Sequence, residues 1–263
     1  GFALGIALAA AISSAGCPST SRPRVAALTP AASELVLALG AEAWLCGVDS
    51  ASQQDPRFAA LPTLSLDAAL EGDVDLVVGA AGSAAAASLA AHTLRDRPAV
   101  QVIELDPHSF EEAFSAAVAI GALLGREATA ERWARELRLE LAKISASSLH
   151  QPRPRIAVLL TLDPPVLAGG HSFLTELVEI AGAENLTHGR EEREVPTDLP
   201  ALVAAAPDLA LIASPDTRHS GAARVLGELQ IGGLRFEAWP IDAARFWVQG
   251  AVPAARALRE RVV

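Results

Sequence analysis

Short aliphatic runs alternate with stretches of helical spacing along most of this chain. Arg24 to Pro30 (RVAALTP) reads as a buried strand running into a helix start, and Ser33 to Leu39 keeps helical spacing until Gly40 stops it. GVD (Gly47 to Asp49) is strand-like, and the polar SASQQDPRF follows as a loop. Asp67 to Leu70 predicts a short helix, LVVGA a strand, Ser83 to Leu94 a helix, and VQVIEL another strand. The strands are continuously apolar rather than alternating, which implies a parallel sheet covered on both faces. The stretch 109–148 then keeps helical spacing, with Trp133, Leu137 and Ile144 on one face and Glu131, Arg135, Glu136 and Glu140 on others. Gly121 and Gly125 interrupt it, so one long helix and two shorter ones are both open. After HQPRPR, RIAVLL reads as a strand, PPVLAGG follows, and Ser172 to Ala181 is helical; LALIAS and FEAWPI are later strands, and VPAARALRERVV is a closing helix.

One pattern is written twice. SELVLALGAE (Ser33 to Glu42) and TELVEIAGAE (Thr175 to Glu184) share [S/T]-E-L-V-x-x-x-G-A-E. Two looser pairs follow in the same order: DAALEGDVDLVVGA with PALVAAAPDLALIAS, and VQVIELDPHSF with FEAWPIDAARF. The order implies two halves of similar build. The predicted fold is therefore α/β, with two Rossmann-like lobes of parallel sheet joined by a long backbone helix. Ligands of open parallel sheets bind outside the carboxyl ends of the strands, so two such lobes facing each other enclose a cleft. The expected organisation is a front segment over 1–17, a tether over 18–23, an N-terminal lobe over 24–108, a connecting helical region over 109–150 and a C-terminal lobe over 151–263.

Composition narrows the partners. Half the residues are apolar (51%), which excludes a disordered chain. A net charge of −10 argues against nucleic acid, whose non-specific affinity comes from clustered cations. GFALGIALAAAISSAGC (Gly1 to Cys17) has an apolar run too short for a membrane span and of a length that suits a signal-peptide core. Its last residues, Ser14-Ala15-Gly16-Cys17, resemble a bacterial lipobox in which Cys17 would carry lipid, although Ser14 stands where Leu is usual; an ordinary secretory signal is the alternative. The other cysteine, Cys46, lies in the apolar AWLCGV and reads as a buried small hydrophobe.

VAALTPAASELVLALGAEAWLCGVD, LPTLSLDAALEGDVDLVVG, GGHSFLTELVEIAGAENL and APDLALIAS together resemble the helical-backbone (class III) solute-binding proteins of bacterial ABC importers. The similarity is to the branch that binds vitamin B12, haem and ferric siderophores, nearest its B12-binding members, and it spans about Arg24 to Val263. It implies two lobes with little hinge motion and delivery of a small-molecule ligand to a membrane permease. It further implies a periplasmic or cell-surface protein, which the lipobox-like segment would hold to the membrane through lipid on Cys17, and a monomer is expected. Each lobe of such proteins presents an acid to the permease: Asp67 matches in the first lobe, whereas the second-lobe place falls near Pro200, with Asp198 the nearest acid. Asp67 also reads as an acid favoured by a helix N-terminus.

Strand ends supply the candidate ligand contacts. The first lobe offers Thr29, Pro30, Ser50, Ser52, Gly82 and Ser83, all small and neutral; the second offers His171, Ser172, Phe173, Arg218, Arg245, Phe246 and Trp247. Small residues on one wall leave room for a bulky ligand, and arginines suit carboxylate or phosphate. Ser33 and Ser172 also read as helix caps, and Phe246 and Trp247 as core aromatics. No residue pattern predicts a bare metal site, and no resident cofactor is expected beyond a ligand that is itself a corrinoid or an iron chelate. A corrinoid fits the resemblance best; haem, for which the chain offers histidines but no tyrosine, and a ferric siderophore stay open, as does a lipid-anchored sensor or scaffold of the same fold. GAAGS lacks the third glycine and the ribose-binding acid of a dinucleotide site, and no hydrolase or zinc-protease motif occurs, so no enzyme activity is expected.

Overall fold

A computed structural model describes residues 22–79, 100–105, 108–148, 151–213, 233–239, 241 and 250–262. Cys17, Gly82, Ser83, Arg218, Arg245, Phe246 and Trp247 lie outside the described residues.

The first lobe is built on strands β1 (Val25–Ala27), β2 (Leu45–Val48), β3 (Leu76–Val78) and β4 (Gln101–Ile103). Their order is β2-β1-β3-β4 and every pair is parallel. The aliphatic residues of the central strands β1 and β3 are buried throughout, as continuous apolar runs require. Helix α1 (Pro30–Ala38) connects β1 to β2. Thr29 caps it by accepting from the Ala32 N–H at 3.2 Å, Pro30 begins it, and Gly40 leaves it at φ 64°. Helix α2 (Leu66–Glu71), capped by Ser65, precedes β3.

Helices α3 (Phe110–Leu123) and α4 (Glu127–Ala146) lead to the second lobe. The predicted helical stretch is thus two helices, folded back as a hairpin at Gly125 (φ 60°). Phe114 meets Trp133 edge-on at 6.0 Å, and Arg138 lies over the Phe114 ring while pairing with Glu111 at 2.7 Å. A Cβ on Gly121 would fall 2.6 Å from that of Ala130, so glycine permits this close approach. With twenty residues, α4 is about 30 Å long and crosses towards the second lobe.

The second lobe begins with β5 (Arg155–Leu162), β6 (Pro165–Ala168), helix α5 (Phe173–Ile180) and β7 (Glu184–Asn185). Strand β8 (Glu194–Pro196), helix α6 (Leu199–Ala205), β9 (Leu209–Ala213), β10 (Phe236–Trp239) and helix α7 (Ala251–Val262) complete it. β7, β5, β9 and β10 are parallel neighbours in that order, which repeats β2-β1-β3-β4. The repeated sequence segments are the helices α1 and α5, each preceding the strand that joins one side of its central strand.

The expectation of two wholly parallel sheets needs correction here. β5 runs on past its parallel partners and turns into β6, which pairs with it antiparallel, and β8 adds to β6 antiparallel. The sequence pattern assigns PPVLAGG to no element, yet proline is tolerated at the first position of a strand, where Pro165 stands.

One apolar cluster runs through both lobes and the hairpin, joining Leu35, Phe114, Ile144, Leu177 and Leu258, and each lobe adds a smaller cluster on the other face of its sheet, around Leu70 and Val77 in the first and Leu202 and Ile212 in the second. Arg259 of α7 donates to the carbonyls of Ile144 at 3.1 Å and Ser147 at 2.6 Å, so a cation closes the C-terminus of α4.

Candidate functional site

The carboxyl ends of β1 and β2 carry Thr29, Pro30, Ser50 and Ser52. Thr29 and Pro30 are half-buried and Ser50 is exposed. The Thr29 hydroxyl is committed to capping α1, and Gly79, at φ 83° after β3, packs directly on it: a Cβ there would collide with Thr29 Oγ1 and lie 2.9 Å from Ala32 Cβ. Ser52 faces inwards, against its assignment as a contact. It is buried, its hydroxyl donates to Asp49, and it accepts from Ser33 at 3.0 Å. Asp49 also accepts from the Ala51 N–H at 2.9 Å, which holds the loop after β2 in a tight turn. Ser33 does not cap α1, as its sequence position suggested; Thr29 does.

In the second lobe Gly169, Gly170, His171 and Ser172 lead from β6 into α5. The Gly169 N–H donates to the Arg193 carbonyl at 2.8 Å, and side chains on Gly169 or Gly170 would strike the backbone of 188–193. The loop therefore lies flat on that segment, with His171 exposed at its tip. Ser172 caps α5, accepting from the Leu174 N–H at 3.3 Å. Phe173 is half-buried, and its ring meets that of Phe110 at 5.2 Å.

That ring contact is part of a junction between the second lobe and the connecting hairpin that no local sequence pattern marks. Glu176, in the first turn of α5, accepts from the N–H of Phe110, the first residue of α3, at 2.8 Å. A carboxylate at a helix N-terminus is well placed electrostatically. Burial nonetheless pushes the Glu176 carboxyl up from its ordinary value; the Phe110 hydrogen bond opposes the rise, and Glu179, Glu111 and Glu112 add to it. The repeat signals a special position here, since its partner glutamate in the first lobe, Glu34, instead pairs with Arg57.

Asp67 and Asp198 are both exposed near the carboxyl edges of their sheets. The Leu64 N–H, just before α2, bonds to the carbonyl of Val48 at the end of β2; the Thr197 N–H, just before α6, bonds to that of Pro165 beyond β5. Asp198 is the N-cap of α6, accepting from the Ala201 N–H at 2.7 Å, as Ser65 is the N-cap of α2. Pro200 thus occupies the helical position of Asp67.

Comparison with known proteins agrees with this architecture. A family profile described as Periplasmic binding protein matches residues 25–228. No curated protein matches the chain at a significant level. Among solved structures, the periplasmic heme-binding protein RhuT of Roseiflexus sp. RS-1 is 21% identical with a TM-score of 0.73, over 92% of this chain and 100% of that one. The periplasmic heme-binding protein HutB of Vibrio cholerae is 19% identical with a TM-score of 0.76, over 92% and 99%. The periplasmic vitamin B12 binding protein BtuF of Vibrio cholerae is 14% identical with a TM-score of 0.67, over 91% and 99%. At these identities the likeness is one of fold. With the profile covering most of the two lobes, the chain belongs to the periplasmic binding protein family.

Proposed function

We propose that this protein is the extracytoplasmic receptor of an ABC importer, taking a bulky tetrapyrrole-sized ligand between its lobes and passing it to a membrane permease. The observation that carries this reading is the repeated sheet. Each lobe holds four parallel strands in the same order, and the carboxyl ends of such strands are where ligands of open sheets bind. The family match and the heme- and B12-binding proteins of the same fold support it. They do not favour a corrinoid over haem, so the corrinoid preference drawn from the sequence has no support beyond it, and a ferric siderophore stands as the alternative ligand.

In this reading Ser50 and His171 face the ligand from opposite lobes, with Gly82, Ser83, Arg218, Arg245, Phe246 and Trp247 completing the walls. Asp67 and Asp198 meet the permease, and lipid on Cys17 tethers the protein to the bacterial membrane on its periplasmic or outer side. The proline at position 200 favours a second reading, a lipid-anchored sensor that binds the same ligand without two-point docking.

The test is the visible spectrum and mass spectrum of protein purified from its own host, followed by calorimetric titration of the stripped protein with haemin, cyanocobalamin and a ferric hydroxamate. A copurifying chromophore, or saturable binding of one probe, is the expected result. A colourless protein that binds none of the three overturns the proposal.

A further inference from the structure

The hydroxyl of the repeated [S/T]-E-L-V segment is buried in both lobes: Ser33 is 0% exposed and Thr175 3%. Neither residue caps its helix, since Thr29 and Ser172 do so. In the first lobe Ser33 donates to Ser52 at 3.0 Å, Ser52 donates to Asp49, and Asp49 accepts from the Ala51 N–H at 2.9 Å. In the second lobe Thr175 donates to the Gly169 carbonyl at 2.6 Å and accepts from the Asn185 amide at 2.6 Å. Asn185, fully buried, also donates to the Ala168 carbonyl at 3.0 Å, and Thr187 donates to that same carbonyl.

Both networks start on the first helix of a lobe and end on a loop at the carboxyl end of the strand that follows that helix, β2 in the first lobe and β7 in the second. Those loops, 49–52 and 168–172, carry the exposed Ser50 and His171. The second network also retains a cost: Asn185 Oδ1 is buried with no partner among the described residues, because both threonine hydroxyls spend their protons on backbone carbonyls. An apolar residue would fill that space without the cost, so packing alone does not account for the amide. The carbonyls of Ala168 and Gly169 are what the amide and hydroxyls secure.

We propose that Ser33 and Thr175 are positioning residues for ligand capture, each hydroxyl fixing the cleft-edge loop of its own lobe. The capture half of this statement rests on the importer reading; the loop-fixing half does not. Thr175→Val keeps size and burial and removes the hydroxyl, Thr175→Ser restores it, and Ser33→Ala removes its counterpart. Hydrogen exchange by mass spectrometry and titration with haemin, cyanocobalamin and a ferric hydroxamate would be measured on each full-length variant.

Thr175→Val is expected to speed exchange of the Gly169 amide by about tenfold while the last turn of α5 keeps its wild-type rate, with Thr175→Ser near wild type. Ser33→Ala is expected to do the same at the Ala51 and Ser52 amides. Affinity for whichever probe the wild type binds should fall by about tenfold in both. Unchanged loop exchange, or exchange that rises equally along all of α5, overturns the proposal, and so does unchanged affinity alongside a loosened loop. If the wild type binds none of the three probes, the importer reading fails on that result and the capture half with it, while the exchange data still decide whether the hydroxyls fix the loops. Thr187→Val, which removes one link to Ala168, substitutes if Thr175→Val does not fold, with the same expected change at Gly169.

Discussion

Asp208 holds in the second lobe the place that Asp75 holds in the first. Each carboxylate accepts a backbone N–H from the start of its lobe, that of Arg24 for Asp75 and that of Arg155 for Asp208, at 2.7 Å in both cases. Each aspartate returns its own N–H to the carbonyl of the same arginine, at 2.9 Å and 2.8 Å. The pair closes the amino edge of the two central strands and pins their register, Val25 opposite Leu76 and Ile156 opposite Leu209. Register at this edge sets where the strands end at the other, where the candidate ligand loops begin.

Asp75→Ala and Asp208→Ala should each lower stability by about 1 kcal/mol, the usual net worth of a hydrogen bond, since both carboxylates are exposed. The sites lie in different lobes and share no partner, so the double variant should lose the sum of the two single losses. Urea unfolding measures this. A loss within a few tenths of a kcal/mol in either single variant would show that water replaces the carboxylate without cost.

The repeat was legible because its marks are local: a hydroxyl, an acid, an aliphatic pair and a glycine. Gly40 and Gly182 both end their helices at positive φ, 64° and 95°, which is what glycine supplies after a helix. The helix hairpin was half legible. Gly125 makes its turn, whereas Gly121 serves a packing contact with Ala130 that no local pattern announces. β6 was hidden by its prolines, and β8 by a charged run that reads as solvated loop. Ser172 is the helix cap its sequence position offers, whereas the cap of α1 is Thr29 and not Ser33. Ser52 and Phe173 were not distinguishable from exposed loop residues, because their partners, Ser33 and Phe110, are distant in sequence. Glu176 was missed for the same reason: its bond to Phe110 crosses from one lobe's first helix to the connector.

Gly79→Ala should be among the most damaging single-methyl changes in the first lobe. The residue sits at φ 83°, where a side chain is strained, and the new methyl would press on Thr29 and on Ala32 Cβ at 2.9 Å. A cost of about 2–4 kcal/mol is expected from strain and overpacking together. Urea unfolding again reports it, and a loss below about 1 kcal/mol would mean that the end of β3 moves freely away from α1.

Cys17→Ala should release the protein from membranes of its host into the soluble extracytoplasmic fraction, because one residue supplies the proposed anchor. Fractionation followed by immunoblotting reads the outcome. A variant that stays with the membranes would remove the lipobox assignment.

Arg245→Ala and Trp247→Ala should each weaken binding of the ligand identified by titration by about ten- to a hundredfold. A desolvated charge-assisted hydrogen bond is worth about 1.5–3 kcal/mol, and an aromatic face buried against a large planar ligand contributes comparably. Calorimetry on both variants tests this. Wild-type affinity in both would place the grip on other residues.

Glu176 gives a pH dependence of defined sign. Burial raises its folded value above the ordinary 4.5, so the folded protein holds this proton more tightly than the unfolded chain does. Its contribution to stability is therefore complete below the ordinary value and is lost as pH rises through the raised folded one. Glu111 has the opposite sign, because the Arg138 hydrogen bond holds its carboxyl low and its contribution is lost as pH falls. Comparing wild type with Glu176→Gln cancels Glu111 and every other background group. The Gln carbonyl can still accept the Phe110 N–H, so the variant keeps the junction and loses only the titration. The wild-type urea midpoint should then fall relative to that of Glu176→Gln as pH rises from about 4 towards 7, and level off once Glu176 is ionised. Glu176→Leu leaves the Phe110 N–H without its acceptor and should be less stable than Glu176→Gln at every pH. A wild-type-minus-Gln difference that stays flat across this range would show that the carboxyl at the junction titrates as an ordinary exposed glutamate, and that the first turn of α5 stands further from α3 in solution than the 2.8 Å contact allows.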